Sequence, residues 1–467
     1  MWGTLFSAII KISVVCARYF IVLEVNLLKK IFGFLFMFVF IFCQGASAAV
    51  VVDLARYLEM VKEGNHALRS NLRAVEAAYF GVRASVGNQR PNIGFSGSAS
   101  YVTDHRQTAG SPNRHSMTYG TSLSLTQSID ISGVHSLDEQ QQILNFENQR
   151  ATFYSNVNAL LATAERVFWA AVLARENIAL QEDVLRQRME NNRVTEEKYR
   201  QQLVPRLDRI RSEAQVVAAE ALVTEARAQY RNVLANMMDL AGGIEVTPII
   251  VPLTVPEFDV NVCLERAFES RPDIRAANLA LERSEIIRRL TARGLSPTLT
   301  AAIRWTPWSE PWNSSSPQRG EVGASLTLNI PIFDGNATRF STLNADRLIQ
   351  AAEAGLESVK NTARMELIVA QNNWEMAAAL EQARRRQVER SDEELRITEL
   401  MYNEGMGAQI DLINAQTDNQ LVRTEYLNAI QGMYAALIDL RRAMGEYAPN
   451  AGGTWNEAVR RYGRGNI

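Results

Sequence analysis

Two short patterns recur at one fixed distance along the chain. Tyr199 and Asp208 lie nine residues apart, as do Tyr402 and Asp411, and 203 residues separate the first pair from the second. Two glycine-led segments and one further glycine repeat at the same offset: Gly120-Thr-Ser-Leu-Ser-Leu with Gly323-Ala-Ser-Leu-Thr-Leu, and Gly242 with Gly445. One ungapped offset held over roughly 120 residues indicates a duplicated structural unit. The sequence therefore predicts that the chain folds as two copies of one structural unit.

The repeat sets the predicted domain boundaries. We expect a first repeat over residues 49–242 and a second over 261–447, joined by a proline-containing connector at 243–260. Residues 448–467 are expected to form a solvated tail, since its charged residues are mostly arginines. Length alone favours two or three domains, but the repeat takes precedence over that rule.

Residues 1–48 are predicted to be an N-terminal extension and a signal peptide. Lys29-Lys30 precedes an apolar stretch over 31–43, and Ala46-Ser47-Ala48 supplies the small residues that signal peptidase accepts. Cleavage is expected after Ala48. Residues 1–24 do not fit a signal, and one hypothesis is that translation begins near Val25.

Composition excludes several classes of protein. The 467 residues are 47% apolar, which excludes a disordered chain, and 49 basic against 51 acidic residues leave no positive surplus for nucleic acid. Cys263 is the one cysteine of the predicted mature chain, and the four histidines show no metal-binding spacing. Phosphate-binding and nucleophile motifs are missing from the sequence, so we expect no enzyme, no metal and no cofactor.

Each repeat is predicted to begin with a helix, over roughly 53–88 and 259–293, followed by a β-hairpin. In the hairpins at 92–129 and 298–333, apolar residues alternate with serine and threonine, which indicates strands. A soluble sandwich could show the same alternation. Strand lengths of eight to eleven residues and aromatic residues near the loops favour membrane strands instead. The expected aromatic belt comprises Tyr101, Tyr119 and Trp305, with Trp308 and Trp312 beside them.

After each hairpin the apolar period changes to that of a helix. Long helices are predicted over 134–241 and 337–445, each range interrupted by a tip where the chain reverses. The seam residues step by three and four, as in a coiled coil. Those before the tips are Leu160, Ala164, Val167, Ala171, Ala174 and Ile178, and Leu367, Ala370, Trp374 and Ala377; those after are Ile210, Ala214, Val217 and Ala221, and Leu427, Ile430, Tyr434 and Leu437.

Four strands cannot close a barrel in lipid. The smallest lipid-spanning barrels have eight strands, and an open sheet edge is not tolerated in the bilayer. Membrane strands therefore require several chains to pool them. Three chains give 12 strands and an open lumen, whereas two give a barrel filled by its own side chains.

On these residues the chain resembles the TolC-like outer membrane efflux family, over about residues 53–447. The second tip, Tyr402-Asn-Glu-Gly-Met-Gly-Ala-Gln-Ile-Asp-Leu-Ile-Asn-Ala-Gln416, is similar to the family pattern YxxGxxxxxDLLxAQ. Pro331-Ile-Phe-Asp-Gly335 and Phe268-Glu-Ser-Arg-Pro-Asp-Ile-Arg-Ala-Ala277 resemble two further family segments. The resemblance implies a mainly α-helical trimer, with a 12-stranded β-barrel in the outer membrane continued by a long periplasmic α-helical coiled-coil barrel.

The resemblance also implies a gate at the periplasmic tips. Asp411 falls on the position of an aperture aspartate, and Tyr402 with Asp208 are the candidates for a link that holds the tip closed. Asn414 and Gly407 stand where some family members carry a second aspartate and an arginine, so a single ring of three Asp411 carboxylates is expected. A helix N-cap is an alternative or additional role for Asp411, and Tyr402 has a packing role as its alternative.

The tip turns are expected to use Gly405 and Gly407 in the second repeat, and Val204 and Pro205 after Leu203 in the first. By the resemblance these turns contact a periplasmic adaptor. The implied function is the passive exit duct of a tripartite efflux or type I secretion system. Its implied partners are two further copies of the chain, an adaptor (membrane fusion) protein, an inner-membrane transporter and outer membrane lipid.

The implied location is the outer membrane of a Gram-negative bacterium, with a large periplasmic portion. The alternative is a periplasmic coiled-coil adaptor or interaction protein. An adaptor has one helical hairpin, whereas this sequence predicts two hairpins and two pairs of strands.

Overall fold

The structure is a computed structural model that describes residues 50–104, 114–249, 268–311 and 320–448. The predicted signal peptide, most of the connector, Cys263, Trp312 and nearly all of the tail lie outside the described residues. The described elements in chain order are β1 (Val50–Val52), α1 (Leu54–Gly64), α2 (His66–Asn88), β2 (Asn92–Asp104), β3 (Arg114–Ile129), α3 (Val134–Arg200), α4 (Arg206–Leu240), β4 (Val246–Pro248), α5 (Pro272–Thr291), β5 (Thr298–Pro311), β6 (Glu321–Asn329), α6 (Ala337–Asn403) and α7 (Gln409–Ala443).

The long helices have matching lengths in the two halves. Helices α3 and α6 each contain 67 residues, and α4 and α7 each contain 35. Their corresponding ends differ by the offset of 203 seen in the sequence. At a rise of 1.5 Å per residue, α3 and α6 are each about 100 Å long.

The predicted helix over 53–88 is in fact two helices. Asn65 ends α1 and also caps α2, because its side-chain oxygen accepts hydrogen bonds from the backbone N–H groups of Ala67 and Leu68. The extended backbone of this residue (φ −66°, ψ 123°) breaks the helical path. Its counterpart helix in the second half, α5, has Pro272 in its first turn, where the missing N–H group of proline costs nothing.

The four predicted hairpin strands form one antiparallel sheet in the order β2–β3–β5–β6. The two hairpins are joined through the β3–β5 ladder, so one chain supplies a continuous four-stranded sheet. Part of the predicted connector also forms a strand, because β4 pairs in parallel with β1 at the start of the described chain.

The helices form a layer that is four helices wide along its length. Near the sheet the order is α2–α3–α5–α6, and towards the tips it is α4–α3–α7–α6. Hydrogen bonds from Asn148 of α3 to Ala276 and from Arg288 to Asp346 of α6 hold α5 between the two long helices. The largest fully buried side chains lie mainly where α1, α2 and α3 meet, among them Tyr57, Phe153 and Phe168. An 18-residue window of α3 is apolar enough to cross a membrane, but 56% of it is buried within the chain, which is typical of a core helix.

The predicted helical seams are buried or half-buried in three of the four long helices. Ala164 and Ala171 of α3, Leu367 of α6 and Leu437 of α7 are each at most 1% exposed. The predicted seam of α4 is wrong for a single chain. Ile210 and Val217 are 51% and 61% exposed, and α4 instead buries Ala219, Val223 and Ala226. Since α4 lies at one border of the layer, its apolar seam has no partner among the described residues.

Candidate functional site: a membrane sheet and a periplasmic tip

One face of the sheet is mainly apolar. Residues opposite each other in neighbouring strands point to the same side of a sheet, and apolar residues are opposite apolar residues across all three ladders. The matched pairs include Ile93 with Leu125, Phe95 with Leu123, Leu125 with Ile303, Leu123 with Trp305, Trp305 with Val322, Ala301 with Leu326 and Leu299 with Leu328. These side chains face outwards, with Phe95 73% and Val322 70% exposed.

The opposite face is mainly hydroxyl-bearing. Ser96 and Ser122 share a hydrogen bond of 2.8 Å between their hydroxyls, and Thr300 is opposite Thr327. Arg304 lies on the same face, between Ser124 and Gly323. A sheet with an exposed apolar face and a polar opposite face fits a lipid boundary on one side and water on the other.

The structure describes the side chains of only part of the predicted aromatic belt. Tyr101 and Trp305 lie on the apolar face and are 64% and 48% exposed. Tyr119 pairs with Ala99 in the β2–β3 ladder, and Trp308 pairs with Thr121 in β3–β5, but their side chains lie outside the described residues. All four positions lie towards the strand ends that are distant from the helices.

Both edges of the sheet are open. Among the described residues, β2 pairs only with β3, and β6 pairs only with β5. Each edge therefore presents unpaired backbone N–H and C=O groups, which require another strand if the sheet lies in lipid.

The two tips share one backbone geometry. In the first, the N–H of Leu203 donates to the carbonyl of Lys198 at 2.8 Å; in the second, the N–H of Met406 donates to that of Met401 at 2.9 Å. Each turn needs one residue with positive φ, supplied by Gln202 (58°) and Gly405 (76°). This 6→1 bond is the usual way to end a helix with a left-handed residue.

Gly407 was expected to reverse the chain, but only Gly405 has a positive φ in this turn. Gly407 instead permits close packing, because a Cβ atom there would lie 3.2 Å from the backbone nitrogen of Tyr402. In the first tip, Pro205 is the N-cap residue of α4 and Val204 is half-buried.

Tyr402, near the end of α6, is buried against α3 and α7 and faces Thr195 of α3. Its hydroxyl lies 3.4 Å from the Thr195 hydroxyl, and the Lys198 ammonium lies 3.9 Å from the ring centre and 3.2 Å from the Tyr402 carbonyl oxygen. Asp208 contacts α7 through its backbone, since its carbonyl accepts a hydrogen bond from Gln409 at 3.2 Å. Within the described part of one chain, Tyr402 and Asp208 share no hydrogen bond, and the link between them in the closed state stays a prediction.

Asp411 is not a helix N-cap. Ala408 occupies that position, and Asp411 is the third residue of α7, where the partial positive charge of the helix start favours a carboxylate. Asp208 has the corresponding place in α4, whose N-cap is Pro205. The Asp411 and Asn414 side chains are exposed, and Asp411 makes no ion pair among the residues that the structure describes.

Comparison with known proteins supports the resemblance found in the sequence. Residues 263–446 match the family described as outer membrane efflux protein. The chain is thus similar to the TolC-like outer membrane efflux family, as its motifs predict. It is 25% identical to Nodulation protein T of Rhizobium leguminosarum bv. trifolii over 419 residues, which cover 82% of this chain and 84% of that protein. It is also 25% identical to Outer membrane protein OprJ of Pseudomonas aeruginosa over 446 residues, 88% of this chain and 86% of that protein.

Solved structures share the fold. A membrane protein from Pseudomonas aeruginosa superposes with a TM-score of 0.74 at 20% identity, covering 85% of this chain and 91% of that one. The protein lies in the outer membrane, with a large periplasmic part. The family is one of efflux channels, in agreement with the expectation that the chain performs no covalent chemistry.

Three buried ionic residues were not predicted from the sequence. Glu165 of α3 accepts hydrogen bonds from Tyr447 at 2.6 Å and Arg441 at 3.2 Å, and burial raises the pKa of the Tyr447 phenol, with the adjacent Glu165 carboxylate adding to the rise. The sequence signal for Glu165 was its position within the apolar seam of α3, one residue after Ala164.

The second is Arg271, which lies inside the family-like segment 268–277. Its guanidinium reaches Asp273 at 2.6 Å and Glu366 of α6 at 2.8 Å. Burial opposes the ionised form of Asp273, yet its pKa stays below the usual value because the Arg271 contacts outweigh burial. This triad anchors the start of α5 to α6. The third residue, Arg188, lies between α3 and α7.

Proposed function

We propose that the chain is one third of a trimeric exit duct in the outer membrane, serving a tripartite efflux or type I secretion system. The duct is passive and needs no cofactor, and it opens and closes at its periplasmic tips. The observation that carries the proposal is the four-stranded sheet with one exposed apolar face and two open edges.

The open edges require neighbours. If β6 of one chain pairs with β2 of the next, three chains give a closed barrel of 12 strands in which every edge group is bonded. The same three copies give 12 helices around the axis, because each chain supplies a layer four helices wide. Two copies would give eight strands, whose interior is filled by side chains.

The borders of the helical layer support lateral packing between copies. On α4, Ile210 and Val217 are exposed, and on α6, at the other border, Met365 and Met376 are 59% and 63% exposed. Seams of this kind with knobs-into-holes spacing are buried in coiled coils. The α4 seam that has no partner in one chain is thus suited to α6 of the neighbouring chain.

Two tandem repeats underlie this arrangement in our proposal, residues 49–242 and 261–447, with 243–260 between them. Equal helix lengths in the two halves and the shared turn geometry of the tips support it. Six nearly equivalent hairpins then form the periplasmic end of the trimer, alternating between first and second repeats.

The gate is placed at those tips. Three Asp411 carboxylates would ring the aperture, flanked by Asn414, and a helix-to-helix link between Tyr402 and Asp208 would hold it closed. The turns at Val204, Pro205, Gly405 and Gly407 are the proposed contacts of a periplasmic adaptor, which joins the duct to an inner-membrane transporter.

Exposed apolar residues support docking at the turns. Leu203 and Met406, at equivalent positions of the two turns, are 68% and 70% exposed. Large exposed apolar side chains at the end of a charged helical hairpin are typical of a docking site for a protein partner.

The test is single-channel conductance of the detergent-purified mature protein in a planar bilayer, together with its mass by light scattering. Small, cation-preferring conductance steps from a particle with the mass of a trimer are the expected result. A soluble monomer that never conducts would refute the duct and favour a periplasmic coiled-coil adaptor. A conducting dimer or tetramer would leave the duct but refute the barrel of 12 strands.

A further inference from the structure

The contact between α3 and α7 joins the two helical hairpins of a chain and divides into two zones. We call the part nearer the sheet the upper zone; it comprises residues 158–169 of α3 and 434–447. The part nearer the tips is the lower zone, residues 181–195 of α3 with 409–420 of α7. The two zones are held together by different chemistry.

The upper zone is charged, aromatic and tightly bonded. Glu165 lies between Arg441 and Tyr447, and Arg166 forms an ion pair with Asp439 at 2.5 Å. The ring of Trp169 stacks on that of Tyr434, with centres 4.0 Å apart and planes at 6°. The hydrogen bonds to buried Glu165 are charge-assisted, and the stack of Trp169 on Tyr434 adds a large aromatic contact, whereas the exposed Arg166–Asp439 pair adds little.

The buried polar side chains of the lower zone are neutral apart from one cation. Gln181 contacts Gln420 at 3.0 Å, and Thr195 contacts Gln409 at 3.3 Å. The cation is Arg188, which is 3% exposed. It donates to the side-chain oxygens of Gln416 at 2.8 Å and Thr417 at 3.0 Å.

Arg188 has no anionic partner. Among the residues that the structure describes, no carboxylate forms an ion pair with it. Because only 3% of it is exposed within one chain, a neighbouring copy has no surface through which to supply one. Arginine remains charged in proteins, so the lower zone contains an uncompensated positive charge.

Arg271 of the same chain is a buried arginine whose positive charge is compensated by carboxylates. It is 8% exposed but contacts two carboxylates, Asp273 and Glu366. Burial by itself opposes the charge of Arg271, yet its pKa is raised because both carboxylates outweigh burial. For Arg188 nothing offsets burial, and its pKa is lowered.

Further polar groups in the lower zone are unsatisfied. The side-chain oxygens of Asn191 and Gln409 are buried, and neither has a hydrogen-bond partner in the described structure. The upper zone also has two such atoms, Asn158 Oδ1 and Trp169 Nε1, so the feature that sets the lower zone apart is the uncompensated charge of Arg188. A buried charge without a counter-ion and buried oxygens without donors all regain free energy when water reaches them. Parting of α3 and α7 would supply that water.

We propose that Arg188 is a positioning residue that keeps the lower zone poised to part, so that the first turns of α7 swing away from α3 while the upper zone stays fixed. This rests on the proposed function as a gated duct. Gln416 is bonded to Arg188 and lies five residues after Asp411 on the same helix. Movement of this part of α7 therefore moves the Asp411 carboxylate.

A groove of about 360 Å³ marks the hinge between the zones. It lies among α3, α4 and α7 and is lined by small or flexible side chains, including Ala170, Ala174, Asn177, Thr424 and Gln431. Imperfect packing at this level lets α7 bend without breaking the contacts of the upper zone.

The experiment compares three substitutions of Arg188 in the Asp411→Ala/Tyr402→Phe background, in which we expect openings to be frequent. Arg188→Met keeps the length without the charge, Arg188→Gln keeps hydrogen bonding without the charge, and Arg188→Lys keeps the charge. We expect Met and Gln to lower the open probability about tenfold, since replacing a buried charge by a neutral side chain stabilises the closed seam. Lysine should restore most of the lost open probability.

A second measurement does not depend on conduction. Amide hydrogen exchange of residues 409–420 should be slower in Arg188→Met than in the protein with Arg188, whereas residues 434–443 should be unchanged. If Arg188→Met leaves an orphaned amide that disturbs folding, Arg188→Met/Gln416→Met removes both groups and should show the same slowing.

The outcomes separate the two proposals. A higher open probability or faster exchange in Arg188→Met would show that Arg188 clamps the seam, and would overturn the inference. Equal behaviour of Lys and Met would do the same, because the charge would not matter. If none of the Arg188 variants changes the conduction, the inference is refuted but the proposed duct is not. No conduction in any variant refutes the duct, while amide exchange still tests the inference.

Discussion

The two hairpin tips use one backbone and different side chains. Each has five residues between its helices, each is closed by a 6→1 bond, and each places an aspartate third in the returning helix. The requirement for a left-handed residue is met by Gln202 in one tip and Gly405 in the other, so the geometry does not depend on glycine.

The two tips differ in their charged residues. Residues 193–213 contain six basic and four acidic residues, whereas the equivalent 396–416 contain one basic and three acidic. Asp208 in the first tip is 20% exposed and lies 3.8 Å from Arg211, while Asp411 in the second is exposed and unpaired among the described residues. The turn has the same backbone in both repeats although the charges differ. Because the exposed carboxylate without an ion-pair partner among the described residues lies in the second tip, we expect the second tip to control the gate.

The largest expected effect is on conductance. Asp411→Ala with Tyr402→Phe should raise single-channel conductance or open probability about tenfold, because it removes the aperture carboxylate and a buried hydroxyl contact worth about 1 kcal/mol. Leakage of antibiotics into cells that carry the variant should rise in parallel.

Its matched control is the same change in the first tip, Asp208→Ala with Tyr199→Phe. Tyr199 packs beside Arg209, whose guanidinium lies 5.5 Å from its ring, and is half-buried, whereas Tyr402 is 5% exposed. A smaller rise is expected there. Equal effects of the two double variants would remove the asymmetry, and no change in either would count against a gate at the tips.

The sequence predicted the regular parts of this comparison well. The offset of 203 placed both tips, and the period-two alternation at 92–101 and 322–330 placed strands that the structure contains. Such patterns are visible because each residue's environment repeats along the element.

Contacts between distant residues were not predictable in this way. The helix break at Asn65 depends on one capping side chain, and the exposed α4 seam depends on which helix faces which. Arg188 looks like an ordinary surface arginine in the sequence. Only the approach of α7, more than 220 residues later, makes it buried and uncompensated.

A smaller effect should come from the turns themselves. Gly405→Ala forces a side chain into a left-handed conformation at a cost of about 1 kcal/mol, and no neighbouring atom lies within 4 Å of the added Cβ, so the cost is purely conformational. Gln202→Gly relieves the same strain in the first tip and should stabilise it by up to about 1 kcal/mol.

Hydrogen exchange of the amides that close the turns measures both changes. The Met406 amide should exchange about fivefold faster in Gly405→Ala, and the Leu203 amide more slowly in Gln202→Gly. If Gln202→Gly instead speeds exchange, then the Gln202 side chain, and not the backbone, holds the first tip. The two turns would then differ in how they are built as well as in their charge.

The smallest expected effect is on ion selectivity. Asp411→Asn should lower the preference for cations, measured as the reversal potential across a KCl gradient, whereas Asp208→Asn should change it less, because Arg211 already offsets part of the Asp208 charge. Exposed charges are screened by salt, so each effect should stay below about 1 kcal/mol and shrink as ionic strength rises. Asp418→Asn, an exposed carboxylate seven residues further along α7, controls for a general loss of negative charge. Equal shifts for Asp411 and Asp418 would mean that ions sense the whole acidic repeat, and that the asymmetry of the tips is spread along the helix and not concentrated at one ring.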